Sequence, residues 1–260
     1  MKKLSLVLMA VLAFTFVGCQ GWLDIPDPEP EPEPDPNDTI AEALIILDTT
    51  AATLNSGETY QINAECEYPI SYTSENEYVA SVSEDGLVTA NFVGTTNIML
   101  EAEGDSQTFE VTVAPVSELY PEPEIEIGES KDAIVERFGD PDDEDEEIIV
   151  YYGFAESSFM LMVAFDDEDL VQYYMVVMEY DYVEELDTFL SERYLYVTEQ
   201  DGVKVYINAL DVNDATLIVG SQVVEDSFVM AVYMGNDEGG GGDEKVVTPR
   251  VSKVLKRLAK

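Results

Sequence analysis

Apolar and polar positions alternate with a period of two through the first half of the chain. Tyr60, Ile62, Ala64 and Cys66 alternate with Gln61, Asn63 and Glu65, and Phe109, Val111 and Val113 alternate with Thr108, Glu110 and Thr112. Thr96, Ile98 and Leu100 repeat the pattern. Each run predicts a strand with one face in a core, because successive side chains of a strand point to opposite faces. Turn-forming residues separate the runs at Asn55-Ser56-Gly57, Asp85-Gly86 and Gly94. Short strands at this spacing predict an all-β sandwich over residues 41–115.

The pattern changes after a proline-rich stretch, Pro115 to Pro123, which reads as a linker over 116–124. Ser130 can cap a helix in which Ile134 and Phe138 share a face, and Gly139 followed by Pro141 ends it. Three apolar strands follow, at 148–154, 159–165 and 170–178, the last two joined by a tight acidic turn at Asp166–Asp169. Asp181 and Glu184 have capping-box spacing ahead of Val183, Leu186 and Leu190, which predicts a second amphipathic helix ending near Arg193. Strands at 194–198, 203–208, 215–219 and 227–233 complete the series. The order predicts an α+β domain over 125–236, two helices on one face of an antiparallel sheet, built as two tandem helix-plus-sheet units.

The ends of the chain have different chemistry. Lys2 and Lys3 precede the apolar run Leu4 to Val17, which is too short to span a bilayer as a mature helix. With Phe16-Val17-Gly18-Cys19 behind it, this stretch (1–18) resembles a bacterial lipoprotein signal. The resemblance implies cleavage before Cys19, acylation of that residue and a membrane partner reached through lipid, each buried methylene adding roughly 0.8 kcal/mol. Gln20 after Cys19 is similar to signals for export to the outer membrane. Within residues 19–40 proline occupies every second position from 26 to 36, with acids between. Such a segment favours an extended polyproline II stalk, on the order of 40 Å long at about 3.1 Å per residue. At the other end (237–260), four glycines at 239–242 precede Val251, Val254, Leu255 and Leu258, spaced i, i+3, i+4, i+7 among Lys253, Lys256, Arg257 and Lys260. This reads as a basic amphipathic helix suited to docking on an acidic body or an anionic membrane, or equally as an unstructured or appended tail, its composition clashing with everything before it.

Charge narrows the function classes. The formal net charge is −43, and all of the 55 Asp and Glu except Asp243 and Glu244 lie between positions 20 and 242. Only Lys131, Arg137, Arg193 and Lys204 oppose them there, so a nucleic-acid partner is excluded by repulsion from the phosphate backbone. The chain has no histidine, which removes His-dependent triads and imidazole metal sites. Cys66 is the only cysteine besides Cys19; on the buried face of its strand it behaves as a small hydrophobe. The run Asp140 to Glu147 is rich in oxygen ligands, but it lacks the spacing of a calcium loop and reads as a solvated face. No phosphate-cradling glycine loop occurs, and carboxylate pairs for glycoside hydrolysis carry no information in so acidic a chain. The reading is therefore a non-enzyme with no cofactor and no metal site. Tyr151, Tyr152, Tyr173 and Tyr174, with Tyr180 and Tyr182 nearby, form a candidate contact surface. Consecutive tyrosines on a strand face opposite ways, so half of them are expected in the core.

Three pieces of the first half carry a family resemblance: Gly57-Glu58-Thr59-Tyr60-Gln61-Ile62, Tyr72 through Val82, and Gly86-Leu87-Val88-Thr89-Ala90 with Gly94-Thr95-Thr96. They resemble the bacterial group-2 immunoglobulin-like domain, with Tyr72 where that family often has tryptophan. The resemblance implies a sandwich module of bacterial surface proteins, acting as spacer or adhesive unit. Gly128 to Pro141, followed by a tyrosine-rich strand and Phe165, is similar to a unit of small outer-membrane-assembly lipoproteins and of β-lactamase-inhibitor-like domains, which implies protein binding. Together these features predict a lipid-anchored, non-catalytic binding or adhesion protein of the outer membrane, exposed at the cell surface, whose partner is a protein or a glycan. The alternative is a periplasm-facing lipoprotein of envelope-assembly or inhibitor type.

Overall fold

A computed structural model describes residues 44–224 and 227–236. Cys19, the signal and stalk segments and the basic C-terminal segment lie outside the described residues. The described residues are mostly strand, with two short α-helices.

The first half holds β1 (Ile46–Leu47), β2 (Ala51–Asn55), β3 (Thr59–Gln61), β4 (Ala64–Glu65), β5 (Ser71–Ser74), β6 (Ala80–Val82), β7 (Leu87–Ala90), β8 (Gly94–Ala102) and β9 (Asp105–Ala114). A four-stranded sheet, β2-β9-β8-β5, faces a three-stranded one, β3-β7-β6, and β1 pairs with β4 at the side. Among the described strands only β2 and β9 pair in parallel. Alternation along β8 and β9 turns Ile98, Leu100, Phe109, Val111 and Val113 inward against Val88 and Ala90 of the facing sheet. Tyr60 stacks on Phe109, ring centres 5.5 Å apart. Ile62 is buried and Cys66 is half-buried at the edge of the same core. Gly86 turns the chain before β7 at φ +79°, and a Cβ there would stand 2.8 Å from the Tyr72 ring. The aromatic plug and the glycine therefore require each other.

The second half holds α1 (Lys131–Phe138), β10 (Asp143–Glu144), β11 (Ile148–Ala155), β12 (Ser158–Phe165), β13 (Val171–Glu179), α2 (Val183–Ser191), β14 (Leu195–Gln200), β15 (Val203–Ile207), β16 (Leu217–Val224) and β17 (Phe228–Gly235). The strands make one antiparallel sheet in the order β10-β11-β12-β13-β17-β16-β15-β14. Each half of that sheet is a helix followed by a four-stranded meander, and the last strands of the two meanders, β13 and β17, pair at the centre. The topology thus repeats although no residue-level repeat is visible.

Ser130 caps α1, its side chain accepting from Ala133 N, and Gly139 ends it at φ +88°. Asp181 does not cap α2. Tyr180–Tyr182 form a 3-10 turn, so the α-helix starts at Val183 and its N-cap, Tyr182, makes no side-chain cap bond. Ile134 from α1 and Leu186, Phe189 and Leu190 from α2 cover one face of the sheet. Asp187 ties α2 to β15 through Lys204 Nζ and Tyr206 Oη, both at 2.7 Å. Burial opposes the charge on Asp187, but these hydrogen bonds outweigh it and hold the carboxyl below its ordinary pKa.

The stretch read as a linker is structural. Leu119 and Tyr120 are buried in the helix-side core. Tyr120 packs on Phe189 at 4.4 Å, and its hydroxyl shares a 2.6 Å hydrogen bond with that of Tyr233. The prolines keep this segment extended, but the two short helices leave a gap that its apolar residues fill. Across the junction, Glu192 is buried and its carboxylate accepts from Val116 N (2.7 Å), Ser117 N (3.0 Å) and Arg193 Nη1 (2.5 Å). Its carbonyl accepts from Val93 N at 2.8 Å. Tyr78, stacked on Phe92, donates its hydroxyl to Arg193 O at 2.7 Å. The described residues make one compact unit.

Candidate functional site

The sheet places the four sequence-predicted tyrosines differently. Tyr151, Tyr173 and Tyr174 are only 7%, 8% and 4% exposed and belong to the core, whereas Tyr152 is 51% exposed. The two faces of a strand do separate each consecutive pair. Tyr173 and Tyr174 are nonetheless both buried, because β13 sits at the centre of the sheet and both of its faces are covered.

Tyr174 belongs to a buried group. It stacks on Tyr233 at 4.7 Å, Tyr194 meets Tyr233 edge-on at 6.1 Å, and Tyr194 Oη donates to the Glu122 carboxylate. Burial pushes the hydroxyls of Tyr120, Tyr174, Tyr194 and Tyr233 well above the ordinary tyrosine pKa, and the Glu122 charge acts in the same direction. These groups are packing elements that stay protonated.

Tyr152 has other partners. Its ring lies 6.0 Å from that of Phe159, and Phe159 lies 5.8 Å from Phe228, 48% and 36% exposed respectively. Three exposed rings thus form a continuous strip across strands β11, β12 and β17. Phe159 reaches this place through a β-bulge, since Ser158 pairs with Met178 while Met160 already pairs with Val177. The bulge leaves Ser158 Oγ buried with no hydrogen-bond partner, which costs about 1–3 kcal/mol. Local satisfaction is given up where a large apolar ring is turned to solvent, a pattern found at functional positions of sheets. No periodicity rule signals it, because a bulge breaks the period that such rules count.

Beside the strip lies a cleft of about 450 Å³ lined by Tyr152, Gly153, Glu156, Ser157, Ser158, Phe159, Glu179 and Tyr182. Aromatic faces next to carboxylates provide stacking area and hydrogen-bond acceptors. That chemistry suits sugar hydroxyls or a basic side chain. The acidic run after α1 is exposed and contributes only Asp143 and Glu144 to the edge strand β10, and among the described residues no group of three or more acidic or thiol side chains is arranged to hold a metal ion.

These features define a mostly β protein in which a two-sheet sandwich is fused to a larger sheet bearing an exposed aromatic strip. Residues 43–114 match the family of bacterial Ig-like domains (group 2), so this part of the chain is such a domain. No curated protein matches the chain. Among solved structures it is similar to domains 5-6 of the S-layer protein SbsC, at 13% identity over 75% of this chain and 85% of that one, with a TM-score of 0.25. Domains 4-9 of the same surface-layer protein give 14% identity over 76% of this chain and 27% of that one, TM-score 0.25. The S-layer protein rSbsC(31-844) gives 11% identity over 75% and 21%, TM-score 0.25.

Proposed function

We propose that this chain is a lipid-anchored, non-catalytic binding protein of the bacterial cell envelope, acylated at Cys19 at the outer membrane, facing outward, and recognising a protein or a glycan. The Ig-like part acts as a spacer and the larger sheet as the recognition unit. The observation that carries this reading is the exposed strip Tyr152–Phe159–Phe228 beside an acidic cleft, because contiguous exposed aromatic surface marks a contact site in a protein otherwise kept apart by charge. The doubled helix-and-meander sheet favours a second reading, a periplasm-facing protein of inhibitor type that presents this sheet to another protein.

Protease shaving of intact cells, with detection of residues 43–238, separates the two. Digestion without lysis supports the surface reading, and protection until the outer membrane is opened supports the second. Cys19→Ser is expected to release the protein from membranes. Phe159→Ala is expected to lower binding of the soluble chain to glycan and protein arrays at least tenfold while leaving its Tm within about 3 °C. Unchanged binding would remove the strip from the recognition surface.

A further inference from the structure

The cleft beside the aromatic strip is shaped by irregularities in two adjacent strands. Strand β11 shifts register between Tyr152 and Ala155, where Gly153 adopts φ +63°, and β12 shifts between Ser158 and Met160. Bulges re-aim side chains, and here the displaced positions are the cleft's own. The turn between the two strands supplies Glu156. Glu179 comes from the end of β13, where it is the register partner of Phe228, so its side chain and that ring stand on one face of the sheet.

Neither carboxylate has a counter-ion. The four cations among the described residues are paired elsewhere: Lys131 with Glu144, Arg137 with Glu129, Arg193 with Glu122 and Glu192, and Lys204 with Asp187. Unpaired acids are common in this chain, but these two stand beside exposed rings. The lining is also one-sided in its hydrogen bonding. Ionised Glu156 and Glu179 only accept, and among the described residues the lining holds no amide, guanidinium, ammonium or indole side chain. Ser157 already donates its hydroxyl to Leu119 O. Ser158 is 5% exposed and its Oγ has no partner, an orphan group that a bound donor would satisfy.

Taking the aromatic strip as the recognition surface, we propose that its partner is a protein and that the cleft takes a cationic side chain of that protein, a guanidinium or an ammonium. Such a head donates N–H and accepts nothing, which matches a lining rich in acceptors. Aromatic faces add cation–π attraction, and a guanidinium can stack on a ring while pairing with a carboxylate. A neutral sugar fits less well, because each of its hydroxyls both donates and accepts and the lining offers few donors. An acidic glycan is repelled by Glu156 and Glu179.

The test is saturation-transfer NMR on the full chain in uncharged detergent with three probes. They are N-acetylarginine amide, N-acetylcitrulline amide, which keeps the shape without the charge, and methyl N-acetylglucosaminide. The arginine probe is expected to bind roughly fivefold more tightly than the citrulline probe. Glu156→Gln with Glu179→Gln is expected to weaken it about fivefold, as for two partly exposed charge pairs. Glu146→Gln with Glu168→Gln removes the same charge beyond the other ends of β11 and β12. That is roughly 25 Å away at about 3.3 Å per residue, past the screening length of about 8 Å, so less than about a twofold change is expected. Equal binding of the citrulline probe overturns the inference. Equal weakening by the two Gln pairs overturns it as well, since the probe then feels only the overall field. Tighter binding of the glucosaminide, lost with Phe159→Ala, overturns it while keeping the strip as a recognition surface for sugars. If no probe responds to Phe159→Ala, the strip is not a contact surface and both readings fall.

Discussion

Glu192→Ala tests whether the two halves of the protein are locked by the buried carboxylate between them. The substitution removes the acceptor of two backbone N–H groups, Val116 at 2.7 Å and Ser117 at 3.0 Å, and the partner of Arg193 at 2.5 Å. Breaking a buried ion pair from one side costs about 3–5 kcal/mol, since the remaining charge stays desolvated. Arg193 retains Glu122 at 3.6 Å, the carbonyls of Phe189 and Ser117 at 3.1 and 3.2 Å, and the Phe189 ring at 3.8 Å. This places the loss at the lower end, about 3 kcal/mol, and for a domain of this size Tm falls by roughly 6–12 °C. Glu192→Gln keeps one acceptor but turns an NH₂ toward one of the donors, so its loss is expected to fall between zero and that of alanine. Urea denaturation followed by circular dichroism, with calorimetry of the same variants, measures both. A Glu192→Ala chain within about 1 kcal/mol of the natural one would refute the claim that this carboxylate holds the junction.

Two further outcomes follow from the packing. Gly86→Ala forces an alanine into a left-handed turn and its Cβ to within 2.8 Å of the Tyr72 ring; an expected loss of about 2 kcal/mol appears as a lower urea midpoint with unchanged slope. An unchanged midpoint would show that the ring moves aside freely. The second concerns alkaline pH. Tyr120, Tyr174, Tyr194 and Tyr233 have folded pKa values above the unfolded value of about 10. The unfolded chain releases these protons first, so stability is level below that pH and falls above it, by up to about 1.4 kcal/mol per pH unit for each tyrosine. Their tyrosinate absorbance at 295 nm should therefore appear together with unfolding; full ionisation with the dichroism intact would contradict their burial.

What could be read from the sequence was local. Period-two alternation located β8 and β9, and Ser130 with Gly139 bounded α1, because those signals depend on neighbours a few residues away. The pairing of β13 with β17 was not legible, since it joins residues such as Val176 and Ala231 that no short-range pattern connects. The same limit explains the tyrosines. Alternation put Tyr173 and Tyr174 on opposite faces, but whether a face meets solvent depends on what the rest of the chain lays over it. Pro115, Pro121 and Pro123 announced an extended segment and gave no sign that Leu119 and Tyr120 would plug a core. Phe159 escaped because its exposure comes from a bulge.

The buried plug and junction also constrain how binding would work. A flexible connection would let the Ig-like part and the larger sheet reorient separately, and each could then meet a partner alone. Here Tyr78 and Val93 of the Ig-like part bond to the backbone at Arg193 and Glu192, at the C-terminal end of α2. The same Glu192 fixes the chain entering the second half. Reorientation would expose an ion pair, Tyr78 and Phe92 at once, so the aromatic strip keeps a set direction relative to the sandwich. In the proposed reading an Ig-like part held in this way is a rigid spacer, and the strip on the larger sheet is where that reading looks for the partner.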